Sequence, residues 1–307
     1  MTIRTAPFTF IAVLLLAACS APHTTAVVDP TPTPQGPYVA LGDSYTAAPK
    51  VPSQTGTPSG CERSTVNYPA LVAQRMKIRA SLVHDVSCGG ATIADLSASQ
   101  STGSGTNPAQ LNALTTDTAL VTVGIGGNDV DFAGILSHCV ELDAPGTIID
   151  LLRNTTADQT PCRAYYTAGG TDQIQQKIQA AVPRLAAALA DIRRLAPHAR
   201  VYVVGYPALL PTADGVDCAT TLGITPADVS FLSNEELQLN DILKQRATAA
   251  GDTYVDTYTP SIGHDACSDA ATRWIEPLLP AASAAPMHPN AVGERGMAAA
   301  VERALAQ

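Results

Sequence analysis

The chain has 307 residues, a formal net charge of −9, 46% hydrophobic residues and only 15% charged ones. That apolar content is enough for one large α/β domain rather than two ordinary ones. The 18 basic residues are scattered, and their densest group, Arg193, Arg194 and Arg200, falls where a predicted helix ends and cations ordinarily sit. A nucleic-acid partner, which needs clustered Lys and Arg, is thereby excluded.

At the N-terminus, Arg4 is followed by an apolar run over residues 8–16, too short to span a bilayer, and then by Leu16-Ala17-Ala18-Cys19. Small residues ahead of a cysteine resemble a bacterial lipoprotein signal, with residues 1–18 removed and Cys19 acylated. An ordinary signal peptide cleaved nearby is the alternative. Acyl chains on Cys19 would anchor the chain to a membrane at about 0.8 kcal/mol per buried CH₂. Residues 19–36 are rich in Pro and Thr and read as an extended tether. The remaining body, residues 37–307, holds six cysteines: Cys61, Cys88, Cys139, Cys162, Cys218 and Cys267. An even number in an exported chain implies disulfides, and the lack of a CxxC pair argues against zinc or redox motifs. Spacing alone leaves the pairing open.

Along the body, residues 38–41 (YVAL) predict a short buried strand ended by Gly42-Asp43-Ser44. Residues 68–79 predict a helix and 80–86 a second strand. Residues 119–123 (ALVTV) predict a third, stopped by Gly124-Ile125-Gly126-Gly127-Asn128-Asp129. A long amphipathic helix follows over 171–195, where Pro183 predicts a kink or break. Residues 200–204 predict a strand ended by Gly205-Tyr206-Pro207. Residues 233–249 predict a helix with Ser233 as N-cap and Glu236 completing a capping box. A strand over 253–257 and a helix over 290–306 close the chain. Alternating strands and helices specify an α/β fold with a central parallel sheet, helices on both faces and ligands at the carboxyl ends of the strands.

Ser44, the loop after residue 123 and Gly205-Tyr206 all fall at that edge. Alone, Ser44 reads as a helix cap, and Gly42-Asp43-Ser44-Tyr45-Thr46 lacks the second glycine of a Gly-x-Ser-x-Gly elbow. Six histidines compete as its base. His23 lies in the tether, His84 in a predicted strand, His138 beside Cys139 and His198 in a turn; His264 is the serious rival. His288 is favoured because it opens the last helix as Pro286-Met287-His288-Pro289-Asn290, with Asn290 placed to cap that helix. Asp43 and Asp129 are expected to accept loop N–H groups and take no part in catalysis.

Four blocks in order carry a resemblance: Gly42-Asp43-Ser44, Ser87-Cys88-Gly89-Gly90, Gly126-Gly127-Asn128-Asp129 and His288-Pro289-Asn290, supported by Val204-Gly205-Tyr206-Pro207 and Arg273-Trp274-Ile275-Glu276-Pro277. Over about residues 37–307 the chain resembles the GDSL or SGNH hydrolases, and most nearly their secreted actinobacterial lipases and esterases. The resemblance implies a three-layer α/β/α flavodoxin-like fold and an ester hydrolase with Ser44 as nucleophile and His288 as general base. The Ser44 N–H, the Gly90 N–H and the Asn128 amide would form the oxyanion hole. Most members carry Asp three residues before the histidine, where this chain has Ala285. A backbone carbonyl, that of Ala285, is then expected to hold the imidazole, with Asp265 or Asp269 as alternatives. The resemblance also implies disulfides Cys61–Cys88, Cys139–Cys162 and Cys218–Cys267, no metal or organic cofactor, a monomer, and lipid or short-to-medium acyl esters at the cell envelope as substrates. A carbohydrate acetyl esterase and a non-catalytic binder of acylated ligands are the rival readings.

Overall fold

The computed structural model describes residues 1–2, 35–143, 160–212 and 218–307. Most of the leader, Cys19, the tether up to residue 34 and the Asn154-Thr155-Thr156 sequon lie outside the described residues. A five-stranded, wholly parallel sheet forms the centre: β1 (Tyr38–Gly42), β2 (Val83–Asp85), β3 (Leu120–Gly124), β4 (Arg200–Val204) and β5 (Thr253–Val255). Their order is β2-β1-β3-β4-β5, the flavodoxin-like doubly wound arrangement. Its connections reverse direction between β1 and β3, so a crevice opens where those strands end, and Ser44 and Asn128 follow those same two strands.

Both faces of the sheet are covered, which explains why the central strands β1 and β3 are buried along their whole length rather than alternating. Val39, Leu41, Val121, Val123, Val201 and Val203 pack into one core. Helices α3 (Phe132–Asp143), α4 (Gln173–Leu195) and α5 (Pro226–Ala250) cover it through residues such as Leu136, Ile178, Leu189 and Leu243. Tyr38, Ala40, Leu120, Tyr202 and Val204 face the opposite core, with Tyr68 and Val72 of α2 (Tyr68–Arg75) and Met297 and Val301 of α6 (Ala291–Leu305). The single turn α1 (Ser44–Ala47) follows β1 directly.

Local chemistry sets the helix ends. The side chains of Asn67, Asp172 and Asn290 accept N–H groups of the first turns of α2, α4 and α6. Helix α4 runs on through Pro183 without a break. Helix α5 begins seven residues earlier than Ser233: Thr225 is its N-cap and Pro226 occupies the first turn. Ser233 and Glu236 are therefore mid-helix residues, and Glu236 turns inward instead of closing a capping box. Residues 226–232 are the first turns of that helix. Helix α2 stops at Arg75 because Lys77 turns left-handed, with Ile78 N–H bonded to the Ala73 carbonyl. Residues 80–82 form a 3₁₀ turn, which shortens β2. After β5, Asp256 caps the next turn and Thr257 bonds the Gly205 carbonyl, so the strand ends two residues early.

The three disulfides are Cys61–Cys88, Cys139–Cys162 and Cys218–Cys267. Arg193 bonds the Gly251 carbonyl and pairs with Asp252, Arg194 pairs with Asp191, and Arg200 bonds the Leu305 carbonyl. This basic group is structural.

Candidate active site

Ser44 sits where β1 gives way to α1. The crossing is tight, and Gly42 makes it possible: a Cβ there would collide with the Thr46 side chain and the Gly124 carbonyl. The Gln110 side chain clasps Gly42, its Oε1 accepting the Gly42 N–H at 2.8 Å and its Nε2 donating to the Gly42 carbonyl at 2.9 Å. Asp43 N–H donates to the Gly124 carbonyl at 3.0 Å, tying the ends of β1 and β3 together.

The Ser44 Oγ lies 2.7 Å from His288 Nε2, and His288 Nδ1 lies 2.7 Å from the Pro286 carbonyl oxygen. A carbonyl only accepts, so Nδ1 carries the proton and Nε2 presents its lone pair to the Ser44 hydroxyl. The expected acceptor, Ala285, is thus displaced by one residue: its carbonyl takes the backbone N–H of His288 at 3.2 Å, leaving Pro286 to meet the ring. Asp265 and Asp269 are occupied elsewhere, accepting the N–H groups of Cys267 and Ala271. The rival His264 bonds the Thr272 carbonyl and stacks on Trp274. Burial pushes the His288 imidazole below its ordinary pKa; the Pro286 carbonyl opposes that shift and nearby Lys50 adds to it.

Ser44, Gly90 and Asn128 line one cavity of about 320 Å³. Gly90 adopts φ +74, a conformation suited to glycine, and among the described residues no protein acceptor takes its N–H or that of Ser44. The Cys61–Cys88 bridge and the Gly89 N–H to Cys61 carbonyl bond (3.0 Å) pin this loop. One Asn128 amide hydrogen goes to the Ala91 carbonyl at 2.9 Å, which aims the side chain and leaves its second hydrogen free for a ligand.

Asp43 and Asp129 hold loops, as their positions suggest. Asp43 accepts the Tyr45 N–H at 2.9 Å and the Tyr206 hydroxyl at 2.5 Å, and that hydroxyl in turn accepts the Gly127 N–H at 2.7 Å. Tyr206 therefore bridges the loops bearing Ser44 and Asn128. Burial raises the Asp43 carboxyl to about 7, against the Tyr206 and Tyr45 hydrogen bonds that favour its ionised form. Asp129 accepts the Ile93 N–H at 2.8 Å and pairs with Arg184 at 3.2 Å.

Phe132, Leu136, Leu209, Leu239 and Met287 are apolar residues of the cavity wall. Glu236 also reaches it; both its oxygens lie 3.1 Å from the Leu209 nitrogen, and burial raises its carboxyl well above the ordinary value, against the backbone N–H that favours the ionised form. Asp43, Lys50 and Glu62 are the other acidic and basic side chains of the lining.

Several residues of the site carry no role in the sequence reading. Tyr45 donates to the Met287 carbonyl at 2.5 Å and lays its ring 4.9 Å from that of His288. Gln110 and Tyr206 complete the Ser44 side. Of these, only Tyr206 lies in a block that the sequence singles out, and nothing in the pattern points to Gln110.

The sequence profile of the GDSL-like lipase/acylhydrolase family matches residues 40–295. Lipase 2 of Streptomyces coelicolor is 40% identical over 267 residues, which cover 87% of this chain and 84% of that protein. Among solved structures, phospholipase A1 of Streptomyces albidoflavus superposes with a TM-score of 0.67 at 26% identity, covering 85% of this chain and 95% of its own. An extracellular lipase of Streptomyces rimosus superposes at 0.64 and 27%, covering 88% and 99%. This chain belongs to the GDSL-like lipase/acylhydrolase family, and with it to the carboxylic ester hydrolases.

Proposed function

We propose that this enzyme cleaves lipid or short-to-medium acyl esters through an acyl-enzyme on Ser44. The carrying observation is the 2.7 Å contact of Ser44 Oγ with His288 Nε2 inside a cavity with an apolar wall. As Oγ attacks the ester carbonyl carbon, the new O–C bond forms and the hydroxyl proton passes to Nε2. Charge collects on the carbonyl oxygen, and its stabilisation is assigned to the Ser44 and Gly90 N–H groups and the Asn128 amide, which line the same cavity. The C–O bond to the alcohol then breaks and His288 returns its proton to the leaving oxygen. Water repeats the cycle: His288 takes its proton, a carboxylic acid leaves, and the proton goes back to Ser44.

A carbonyl on Nδ1 orients the ring but stabilises an imidazolium less than a carboxylate does, so the burden falls on the oxyanion donors. The acyl chain is assigned to the wall of Phe132, Leu136, Leu209, Leu239 and Met287. The relatives named for lipase and phospholipase activity support lipid esters as the class. The extracellular relative and the signal-like N-terminus support export. Acylation of Cys19, with residues 19–36 as a tether, would hold the enzyme at the outer face of the cell membrane and present lipid substrate to residues 37–307; without acylation the same chain is secreted.

Hydrolysis of p-nitrophenyl esters from acetate to palmitate tests the reading. A rate that rises with chain length beyond acetate and vanishes in Ser44→Ala is expected. Activity confined to acetate would replace it by an acetyl esterase, and equal activity in Ser44→Ala would end it.

A further inference from the structure

The loop that carries His288 has no regular structure of its own. Between the isolated bridge of Ile275 with Pro289 and the start of α6, residues 276–290 make a wide excursion, PLLPAASAAP, before returning to the histidine. Among the described residues, the ring's one partner on its Nδ1 side is a backbone carbonyl from that excursion. Whatever fixes the excursion fixes the imidazole.

Glu276 lies at the neck of the loop and meets it three ways. Its N–H donates to the His288 carbonyl at 3.0 Å, and its carbonyl accepts the Met287 N–H at 2.9 Å. Its carboxylate reaches into the excursion and accepts the N–H groups of Ala281 at 2.9 Å and Ala282 at 3.1 Å. The same carboxylate accepts the Asn290 amide at 2.7 Å, the Arg273 Nη2 at 3.0 Å and the Arg273 Nε at 3.3 Å. Asn290 is the N-cap of α6, so one buried side chain joins the outgoing strand of the loop, its far turn and the helix that follows the histidine.

We infer that Glu276 is the positioning residue of this site: it stands in for the carboxylate missing from the imidazole by holding the Pro286 carbonyl against Nδ1 rather than by touching the ring. The inference rests on the Ser44–His288 ester-hydrolase reading. A buried carboxylate with five donors is a rigid hub, because every lone pair is committed and removing the charge strands the Arg273 guanidinium. Burial alone would raise its pKa, but the Asn290 amide, the two alanine N–H groups and Arg273 outweigh burial and bring it below the ordinary glutamate value. The charge is thus present over the range in which His288 works as a base. Two further ties act on the same loop, the Ala285 N–H to Pro49 carbonyl bond at 3.0 Å and the Tyr45 hydroxyl to Met287 carbonyl bond at 2.5 Å, but each fixes one point only.

The test is Glu276→Gln in the full chain, with Glu276→Asp beside it, assayed on p-nitrophenyl butyrate across pH. Glutamine keeps the shape but turns an NH₂ towards groups that donate. We expect kcat to fall about 10²-fold, the cost of a misplaced catalytic group, with KM unchanged and part of the rate restored in Glu276→Asp. The acid limb of kcat/KM should also move to lower pH, because the Pro286 carbonyl raises the imidazole's proton affinity; Lys50, the charged group that bears on that ring, is untouched by the change. A purely structural glutamate would lower the melting temperature and leave kcat and the acid limb of the folded protein where they were, and that result overturns the inference. Should Glu276→Gln not fold, Arg273→Met, which leaves the carboxylate its other three donors, must lower kcat and shift the limb in the same direction; an unchanged kcat and limb overturn the inference again. The two readings fail separately: a wild type no more active than Ser44→Ala removes the ester hydrolase and the positioning role together, whereas an active wild type with an indifferent Glu276→Gln removes only the latter.

Discussion

The two halves of the site are built by different means. Ser44, Gly90 and Asn128 stand on loops that leave adjacent parallel strands, so the sheet sets their spacing and side chains only trim it: Gln110 clasps Gly42, and Tyr206 links Asp43 to Gly127. His288 stands on an irregular loop outside the sheet, held by Glu276, Tyr45 and a few backbone bonds. The oxyanion half inherits its precision from the fold, whereas the base half has to be assembled by hydrogen bonds among residues far from the chemistry. Substitutions of the reacting groups Ser44 and Asn128 on the first half should therefore remove chemistry with little loss of order, and substitutions around His288 on the second should act by loosening a geometry.

The largest effects cannot tell the halves apart. Ser44→Ala and His288→Ala should each lower kcat by about 10⁴-fold or more with the fold intact, read from ester hydrolysis and circular dichroism. Asn128→Ala sharpens the contrast. It should lower kcat by about 10²–10³-fold with little change in KM, since the amide is needed only when the oxyanion forms. A comparable rise in KM without loss of kcat would show that Asn128 binds the ground state instead.

How much of this is legible in the sequence follows the same division. Gly42-Asp43-Ser44, Gly89-Gly90 and Gly126-Gly127-Asn128 each follow a predicted strand, and the order of strands and helices already places them on one edge of a parallel sheet. The base half is legible as His288, the Asn290 cap and the Arg273-Trp274-Ile275-Glu276-Pro277 block, whose residues the sequence gives no role. Its acceptor falls on Pro286 rather than Ala285, because Ala285 spends its carbonyl on the backbone N–H of His288 in a turn whose phase the sequence does not reveal. Helix α5 is misjudged for a related reason. Ser233 and Glu236 have the spacing of a capping box, but Thr225-Pro226 starts the helix earlier and Glu236 spends its carboxyl on the Leu209 N–H, a contact 27 residues away in the chain. Pairings at long range, such as Gln110 with Gly42, leave no local pattern at all.

Smaller effects probe each half from within. Serine at both Cys61 and Cys88 frees the loop bearing Gly90 and should cost about 2–4 kcal/mol in urea unfolding, with a lesser drop in kcat, since the sheet still places Ser44 and Asn128. Tyr45→Phe removes one hydrogen bond from the histidine loop, worth about 1 kcal/mol, and should lower kcat roughly fivefold; an unchanged kcat would mean that Glu276 and the backbone bonds hold the loop alone.

The smallest expected change is in pH dependence. His288 must be neutral to accept the serine proton, and burial first, with Lys50 adding to it, holds its pKa below the ordinary 6.5. Activity should therefore persist as the pH falls through 6.5 and be lost only lower, when the imidazole protonates. Lys50→Glu replaces a charge that lowers that pKa by one that raises it, so the acid limb of kcat/KM should move up in pH. A downward move would contradict the placement of Lys50 beside the ring.

In the proposed mechanism, Ser44 is made nucleophilic by a histidine whose orienting partner is a carbonyl rather than a carboxylate. A fluorophosphonate with an alkyl chain tests it directly, because it phosphonylates only an activated serine, displacing fluoride, and mass spectrometry locates the adduct. A single adduct is expected on the peptide containing Ser44, absent in Ser44→Ala, formed far more slowly in His288→Ala and formed at the wild-type rate when Asp265 and Asp269 are changed to Asn. An adduct on another serine, or a labelling rate indifferent to His288, would contradict it.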